Sequence, residues 1–184
     1  MSDRYEIRFS GSGGQGLILA GVIFAEAATI YDKLNAVQSQ SYGPEARGGA
    51  SKSEVIISDK AIDFPKAQAI DLQLSLTQES CTKYYKDIKR NGTLLVDEDF
   101  VKVIPKGGFK VIKMPIIRTA SEEIGKAFVA NIVALGAITA LTGKVTLESV
   151  EKAVLSRVPK GTEELNKKAL KAGYELAKAT AKAG

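Results

Sequence analysis

The stretch that decides the fold is Tyr5-Glu-Ile-Arg-Phe-Ser-Gly-Ser-Gly-Gly-Gln-Gly16, which joins a strand-like run to a glycine-rich turn. Ile7 and Phe9 alternate with polar neighbours, as in a half-buried strand. The glycines that follow have the G-x-G-x-x-G spacing, at Gly11, Gly13 and Gly16, and lead directly into an apolar helix. This order predicts a Rossmann-like unit whose helix N-terminus can accept an anion. The alternative is that the glycines serve only tight packing of the helix on the strand.

One part of the dinucleotide-binding pattern is missing. In an NAD site, an acid about 20 residues beyond the glycines accepts hydrogen bonds from the ribose at the end of the second strand. Residues 34–40, Leu-Asn-Ala-Val-Gln-Ser-Gln, contain no acid, and Asp32 precedes this strand instead of following it. The sequence therefore argues against a nicotinamide-dependent dehydrogenase.

Length and composition indicate one α/β domain over residues 1–184, because 45% hydrophobic residues supply one ordinary core. Lys and Arg number 26 against 21 Asp and Glu, a net charge of +5 that suits anionic ligands or acidic partners. There is no Trp, and no basic run interleaves with aromatic residues. Nucleic acid is therefore not expected as a partner.

Residue usage also limits the chemistry. The chain has no His and a single cysteine, Cys81, so it is expected to hold no metal and no iron–sulfur cluster by itself. The N-terminus enters a strand without a signal-peptide core, which predicts a cytoplasmic protein. The apolar stretch 16–31 is too short for a membrane span and is interrupted by Gly21 and Glu26, so no membrane association is expected.

A second candidate loop follows the strand at residues 34–40. This loop is rich in Gly and Pro. It consists of Ser41, Tyr42, Gly43, Pro44, Glu45, Ala46, Arg47, Gly48 and Gly49. It leaves the carboxyl end of a strand, as the glycine turn does, and ligands of open α/β sheets collect at that edge. Arg47 is a candidate anion clamp, with Glu45 orienting it and Tyr42 covering the site. The equally weighted alternative is a surface turn with an Arg–Glu pair.

The rest of the first two thirds predicts further strands and one helix. Alternation predicts a strand at 71–76, with a helix from Thr77 to about Lys89. Thr77 and Gln78 are placed to reach the edge with the glycine turn, although simple helix capping is the favoured role. The remaining strands are expected at 53–58 and 61–64 as an edge hairpin, at 93–97 after an Asn91-Gly92 turn, and at 109–114. Together these elements predict a mostly parallel sheet flanked by helices, with an edge hairpin.

The last third is predicted to be helical. Thr119 and Glu122 have capping-box spacing, and residues 127–142 carry no charge, so this helix and 16–31 lack a solvent face. Asn131 is the largest polar group of the later helix and is expected to bond to a loop backbone or to a neighbouring chain. Amphipathic helices are predicted after Thr146 and Thr162.

Three motifs together resemble the gamma subunit of 2-oxoacid:ferredoxin oxidoreductases. They are Gly11-Ser-Gly-Gly-Gln-Gly16, Gln40-Ser-Tyr-Gly-Pro-Glu-Ala-Arg-Gly-Gly49 and Asn131-Ile-Val-Ala-Leu-Gly136, in order and at compatible separations. The second motif is most similar to the 2-oxoglutarate members, and then to the branched-chain members.

The resemblance implies a chain that works inside a larger enzyme. Such a complex oxidatively decarboxylates a 2-oxoacid with coenzyme A and passes electrons through iron–sulfur clusters to ferredoxin, using thiamine diphosphate. The cofactors would lie in the partner subunits, alpha, beta and a ferredoxin-like delta, and little activity is expected from this chain alone. No catalytic residue is assigned. The residues expected to border the shared active site or the coenzyme A path are Gly11, Ser12, Gly13, Gly14, Gln15, Gly16, Ser41, Tyr42, Gly43, Pro44, Glu45, Arg47, Gly48, Gly49 and Asn131.

Other functions remain open from the sequence. The substrate is expected to be 2-oxoglutarate, with a branched-chain 2-oxoacid or pyruvate as alternatives. A free-standing dinucleotide-binding oxidoreductase is a different class, against which the missing ribose acid argues. A purely structural interaction subunit, whose glycine turn binds nothing, is the third possibility.

Overall fold

A computed structural model describes residues 4–41 and 49–183. Within these ranges, six strands form one sheet in the spatial order β2-β3-β1-β4-β5-β6. The strands are β1 (Tyr5–Ser12), β2 (Asn35–Ser41), β3 (Ala50–Ser58), β4 (Ile70–Ser75), β5 (Ile88–Asp97) and β6 (Lys110–Met114). The helices are α1 (Leu17–Glu26), α2 (Gln78–Tyr84), α3 (Ile116–Arg118), α4 (Ala130–Thr142), α5 (Leu147–Arg157) and α6 (Glu163–Ala183).

The sheet is mixed but mostly parallel, as predicted. β1, β4, β5 and β6 pair in parallel, whereas β3 runs antiparallel to both of its neighbours, β1 and β2. The register sets Ser12 at the end of β1 opposite Ala50 at the start of β3. The glycine turn after β1 therefore lies beside the point where the chain returns into β3.

An edge hairpin is present, but it is formed by other residues than expected. β2 and β3 pair from Asn35–Ser58 to Ser41–Lys52 and make the hairpin at the edge of the sheet. The prediction of a hairpin between 53–58 and 61–64 was wrong, because residues 61–64 form no strand. The residues before Ile70 instead bind the Glu6 carboxylate, which accepts from the N–H groups of Gln68 and Ala69.

The end of one helix and the start of the following strand also differ from the predictions. The helix expected to reach Lys89 ends at Tyr84, and after a short 3-10 turn β5 begins at Ile88. Asn91 and Gly92 lie inside β5, where Asn91 has a φ of 68° and its N–H donates to the Gly108 carbonyl at 2.8 Å. This bond lets β5 continue through Asn91-Gly92, a dipeptide that usually forms a turn.

The predicted capping box at Thr119 is absent. α3 begins at Ile116, because Pro115 precedes it and the buried Asp97 carboxylate accepts the Ile117 N–H at 2.8 Å. Thr119 then falls inside the helical turn that continues α3, and its buried hydroxyl has no hydrogen-bond partner in the structure. A start signal supplied by a neighbouring strand therefore replaces the local one.

The main core lies between one face of the sheet and the helices α1, α4, α5 and α6. Ile7, Phe9 and Leu74 contribute from the sheet, and Phe24 of α1 packs edge to face on Phe9. α2 covers the opposite face over a smaller cluster with Cys81, which also contains Ile88, Leu94, Val96 and Val101. The sheet is thus covered on both faces, and its carboxyl edge carries the candidate site.

Candidate functional site

The glycine turn lies at the switch point of the sheet. From β1 the chain passes to the β2–β3 side, whereas β4, on the other side of β1, leads outward to β5. The turn after β1 and the turn after β4 meet here, since the Leu76 N–H donates to the Ser10 carbonyl at 3.0 Å. A crevice outside the carboxyl ends of the strands at such a point is the usual ligand position in open α/β sheets.

The glycines of the turn are required for different reasons. Gly14 and Gly16 have φ values of +88° and +73°, which residues other than glycine rarely adopt. Gly11 is needed for space, because a Cβ there would lie 2.2 Å from Gln15 Oε1 and 2.6 Å from Leu17 Cδ1. The turn is therefore specified by backbone geometry and close packing, whether or not it binds a ligand.

Several N–H groups of the turn are already engaged inside the protein. The Ser12 N–H donates to the Gln15 side-chain oxygen at 2.8 Å, and the Gln15 N–H donates to the Ser12 carbonyl at 3.3 Å. The Gly13 N–H donates to the Gly49 carbonyl at 3.2 Å. A phosphate cradle needs such donors to point at the ligand. This arrangement weakens the dinucleotide alternative further.

Asn131 binds the same turn from α4. Its amide nitrogen donates to the Gly16 carbonyl at 3.2 Å, and its oxygen accepts the Ile132 N–H at 3.0 Å. The side chain is buried, at 6% exposure. Of the two partners predicted for Asn131, the structure therefore has the loop backbone.

Two clefts flank the turn. One has a volume of about 240 Å³ and lies against α1 and β3; it is lined by Ser12, Gly13, Gly14, Gly16, Leu17, Ile18 and Ser51. The other has a volume of about 320 Å³ and a largely apolar wall, lined by Gly14, Gln15, Phe100, Ile117, Ala127, Phe128 and Ala130. Gly14 borders both clefts. Phe100 and Phe128 were missed as site residues because no motif marks them. Phe100 lies in the turn after β5, and Phe128 lies in a 3-10 turn within the stretch 127–142, which was predicted to be a helix without a solvent face.

The second candidate loop is described only at its two ends. Ser41 is exposed and pairs with Lys52 in the β2–β3 ladder, while Gly49 contacts the glycine turn through Gly13. Tyr42, Gly43, Pro44, Glu45, Arg47 and Gly48 lie outside the described residues, so their predicted roles stay predictions. The structure nevertheless brings one end of this loop to the glycine turn, as expected from the strand order.

Asp32 lies far from a ribose position, at the amino end of β2. Its carboxylate accepts from the Thr146 N–H at 2.7 Å, from the Thr146 hydroxyl at 2.9 Å and from the Ser149 hydroxyl. Burial acts to raise the pKa of Asp32, but these hydrogen bonds outweigh it and the pKa lies below the ordinary value. Asp32 therefore holds Thr146, the N-cap of α5, and Ser149 in place, and the inference that it cannot serve a dinucleotide is supported.

Thr77 and Gln78, at the start of α2, reach the same edge of the sheet. Thr77 accepts from the Ser80 N–H at 3.2 Å, which is the capping role favoured from the sequence. Gln78 Oε1 accepts the N–H groups of Lys102 and Val103, each at 2.9 Å, and its Nε2 donates to the Val103 carbonyl at 2.8 Å. Gln78 therefore fixes the segment after β5 beside the apolar cleft.

The residues do not fit an iron–sulfur cluster. Cys81 is fully buried, and burial raises the pKa of its thiol against the lowering effect of a hydrogen bond with Ser75. In the part of the chain that the structure describes, no group of three or more His, Cys, Asp or Glu residues is arranged to hold a metal ion. Across the same residues, no helix combines the length and hydropathy of a membrane span.

The sheet order and the glycine turn at the switch point define an open α/β domain of the Rossmann-like class. The family model described as pyruvate ferredoxin/flavodoxin oxidoreductase matches residues 6–176. The chain belongs to this family.

Individual relatives agree with that membership. The 2-oxoglutarate synthase subunit KorC of Methanocaldococcus jannaschii is 58% identical over 177 residues, covering 95% of each chain. The gamma subunit of a keto/oxoacid ferredoxin oxidoreductase from Geobacter sulfurreducens superposes with a TM-score of 0.89 at 60% identity, covering 96% of this chain and 98% of that one. A pyruvate oxidoreductase subunit from Thermotoga maritima gives 0.76 at 27% identity, covering 94% and 96%. The predicted resemblance to a gamma subunit is confirmed.

Proposed function

We propose that the chain is the gamma subunit of a 2-oxoglutarate:ferredoxin oxidoreductase. In this reaction 2-oxoglutarate and coenzyme A become succinyl-CoA and CO₂, while the electrons pass to ferredoxin. The observation that carries the substrate is the contrast between 58% identity over 177 residues to a 2-oxoglutarate synthase subunit and 30% identity over 173 residues to a pyruvate synthase subunit of the same organism.

The chain contributes a border to a site that it shares with other subunits. The glycine turn, its two flanking clefts and the Ser41–Gly49 loop would line the coenzyme A path or the active site, at the edge where open α/β sheets bind ligands. Thiamine diphosphate and the iron–sulfur clusters would be held by alpha, beta and a ferredoxin-like delta subunit. The proposed compartment is the cytoplasm.

The substrate is tested by reconstitution. The chain is co-expressed with its companion subunits, and ferredoxin reduction is measured with 2-oxoglutarate, 2-oxoisovalerate and pyruvate, each with and without coenzyme A. We expect a marked preference for 2-oxoglutarate and no turnover when this chain is omitted. Full activity of the remaining subunits without this chain would overturn the proposal. A preference for pyruvate or 2-oxoisovalerate would overturn the proposed substrate and assign the chain to an oxidoreductase for that 2-oxoacid.

The border role is tested in the same reconstituted enzyme. Ile18→Phe adds bulk in the cleft beside α1, whereas Val22→Phe adds the same kind of bulk one helical turn further along and outside the cleft lining. We expect Ile18→Phe to raise the KM for coenzyme A several-fold more than Val22→Phe, with assembly retained. Equal KM values for the two variants would contradict the role of this cleft.

A purely structural subunit is the second candidate. It is favoured by the engaged N–H groups of Ser12, Gly13 and Gln15, which leave the turn fewer donors for an anion. Arg47→Ala separates the two functions. A border role predicts lower turnover with an unchanged melting temperature and partial rescue by Arg47→Lys. A purely structural subunit, in which Arg47 takes part only in an ion pair, predicts that activity is lost only in parallel with stability.

A further inference from the structure

The peptide unit between Gly49 and Ala50 links α2 to the glycine turn. Its N–H, on Ala50, donates to Glu79 Oε1 at 3.3 Å, and its carbonyl, on Gly49, accepts the Gly13 N–H at 3.2 Å. Because a peptide unit is planar, fixing its N–H also fixes the direction of its carbonyl. A carboxylate on the N–H further polarises the carbonyl and strengthens the bond from Gly13.

A second contact from α2 holds the other side of Ala50. The Tyr84 hydroxyl donates to the Ala50 carbonyl at 3.1 Å, and Ala50 is 1% exposed. Glu79 and Tyr84 therefore bind both backbone groups of Ala50, at the start of β3. We call this pair of contacts, from Glu79 and Tyr84, the Ala50 clamp. It acts on the backbone alone, because the side chain of Ala50 takes no part.

Tyr84 is itself held by a buried cation. Arg8 donates to the Tyr84 carbonyl at 2.8 Å, and its guanidinium carbon lies 5.6 Å from the centre of the Tyr84 ring. Arg8 is 1% exposed and is neutralised by Glu54 and Asp87. Moving Arg8 away from these partners would leave a buried charge unpaired, which is costly. Arg8 therefore holds Tyr84, one of the two residues that bind Ala50, in position.

We propose that Glu79 and Tyr84 are positioning residues that fix the glycine turn through the Gly49–Ala50 peptide. The hydrogen bonds of Glu79 and Tyr84 to Ala50, and of Gly13 to the Gly49 carbonyl, carry the effect on the turn. Its consequence for catalysis rests on the proposed function, in which Gly13 lines a cleft of the shared site. In that case, loss of the clamp weakens ligand binding at the turn without removing any group that touches the ligand.

The first measurement concerns the turn itself. Amide hydrogen exchange of peptides spanning residues 11–16 is followed by mass spectrometry on the purified chain or complex. We expect exchange about fivefold faster in Glu79→Ala and in Tyr84→Phe, the change for one lost hydrogen bond. Glu79→Gln keeps an acceptor and should restore most of the protection, which separates the clamp from a helix-dipole effect of the charge. Tyr85→Phe removes a hydroxyl from the next residue and should leave exchange unchanged.

The second measurement uses the reconstituted enzyme. Glu79→Ala and Tyr84→Phe are expected to raise the KM for coenzyme A about fivefold with kcat nearly unchanged, and Tyr85→Phe to change neither. Unchanged exchange at residues 11–16 in both variants would overturn the positioning role. Faster exchange with an unchanged KM would support the positioning role and count against the use of this turn in the proposed function.

Discussion

At Gly16, both the backbone conformation and the packing disfavour a Cβ atom. Its φ is +73°, and a Cβ would lie 2.6 Å from Asn131 Nδ2. Gly14 has a similar φ of +88° but nothing within 4 Å of a Cβ. Gly14 and Gly16 therefore form a matched pair. The difference in stability loss between their Ala variants measures the effect of the contact with Asn131.

We expect Gly16→Ala to destabilise the chain by about 2–3 kcal/mol and Gly14→Ala by about 1–2 kcal/mol. Both values include the strain of a left-handed conformation, and only the first includes the broken bond from Asn131 to the Gly16 carbonyl. Urea unfolding of the two variants measures the difference. Equal losses would show that Asn131 moves aside without effect.

Cys81 gives a second prediction for a single residue. Its side chain is fully buried and burial raises the pKa of the thiol, so the reactive thiolate is both scarce and covered. We expect a thiol reagent to label the native chain slowly, at a rate that increases with urea as the chain opens. Because Cys81 is the only cysteine, the labelling has no background. Rapid stoichiometric labelling in native buffer would contradict the burial.

At the scale of elements, the start of α5 depends on a side chain from another part of the chain. Asp32, before β2, accepts from Thr146 and Ser149 at the first turn of α5. The pKa of Asp32 is lowered in the folded state, so its contribution is present above its ordinary value of 3.8 and is lost as the pH falls through the lowered folded value. The stabilisation is therefore full at neutral pH.

We expect Asp32→Ala to destabilise the chain by about 1 kcal/mol at pH 7, because Thr146, the N-cap of α5, loses the hydrogen bonds that orient it. The difference from the unchanged chain should shrink as the pH is lowered below 3.8. Urea unfolding at neutral and acidic pH measures it, with the exposed Glu175→Ala as the control variant. A difference that stays constant over this range would show that the carboxylate charge contributes nothing.

The contact between α4 and α6 depends on two glycines that face the opposite backbone. A Cβ on Gly136 would lie 2.0 Å from the Leu170 carbonyl oxygen, and one on Gly173 would lie 1.8 Å from that of Val133. Backbone cannot yield as a flexible side chain does, so the helices would have to separate.

We therefore expect Gly136→Ala or Gly173→Ala to destabilise the chain by more than about 3 kcal/mol, beyond the usual range for overpacking. Gly143→Ala, at a φ of +59° in open space, is the control and should cost about 1–2 kcal/mol. Melting temperatures of the three variants rank the effects. A mild effect at Gly173 would mean that α6 shifts along α4 without losing its packing.

Elements with strong local signals could be predicted from the sequence. The strand and turn of residues 5–16, the apolar helix predicted at 16–31, the Thr146 cap and the uncharged helix predicted at 127–142 were found from spacing and periodicity alone. The hairpin partner of 53–58 was missed because β2 and residues 61–64 are both plausible edge strands locally, and only the sheet pairing selects β2. Thr119 was misassigned because its helix start comes from Asp97, twenty residues earlier.

The candidate site was predictable only in its outline. The glycine turn and the loop after β2 were placed at the same edge by the rule for strand ends, and Gly13 and Gly49 do meet there. The engagement of the turn by Gln15 and by α2 was not predictable, because it depends on side-chain directions and on contacts between residues far apart in sequence. Local patterns carry no information on such contacts.

At the scale of the whole molecule, the two apolar helices α1 and α4, which carry only the Glu26 charge between them, have different surroundings. α4 packs mainly on α6 and also contacts α1, α3 and α5, and its residues Ala130–Thr139 are all buried. α1 packs on the sheet with one side, but Leu19, Ile30 and Tyr31, along α1 and the turn after it, are 38%, 53% and 36% exposed. The last two helices therefore complete the core around α4 and leave this α1 patch, formed by Leu19, Ile30 and Tyr31, open.

The α1 patch leads to a prediction about association. Apolar side chains exposed along one helix favour contact with another surface, and the exposed Phe100, Val103 and Phe128 add to the apolar area of the free chain. We expect the chain made by itself to self-associate and to bind a hydrophobic dye, and we expect the double substitution Leu19→Lys with Ile30→Lys to reduce both. Lys171→Ala, on the exposed side of α6, is the matched control and should change neither.

Analytical ultracentrifugation and dye fluorescence decide this prediction, and co-purification with the companion subunits extends it. If the α1 patch is an assembly surface, the double substitution should yield a chain that is more monomeric alone and is no longer retained by the companion subunits, because two buried charges oppose the contact. A well-behaved monomer that binds no dye before any substitution would contradict the prediction. Normal retention of the double variant would instead place the assembly surface elsewhere, with Phe100 and Phe128 beside the glycine turn as the next apolar group to substitute.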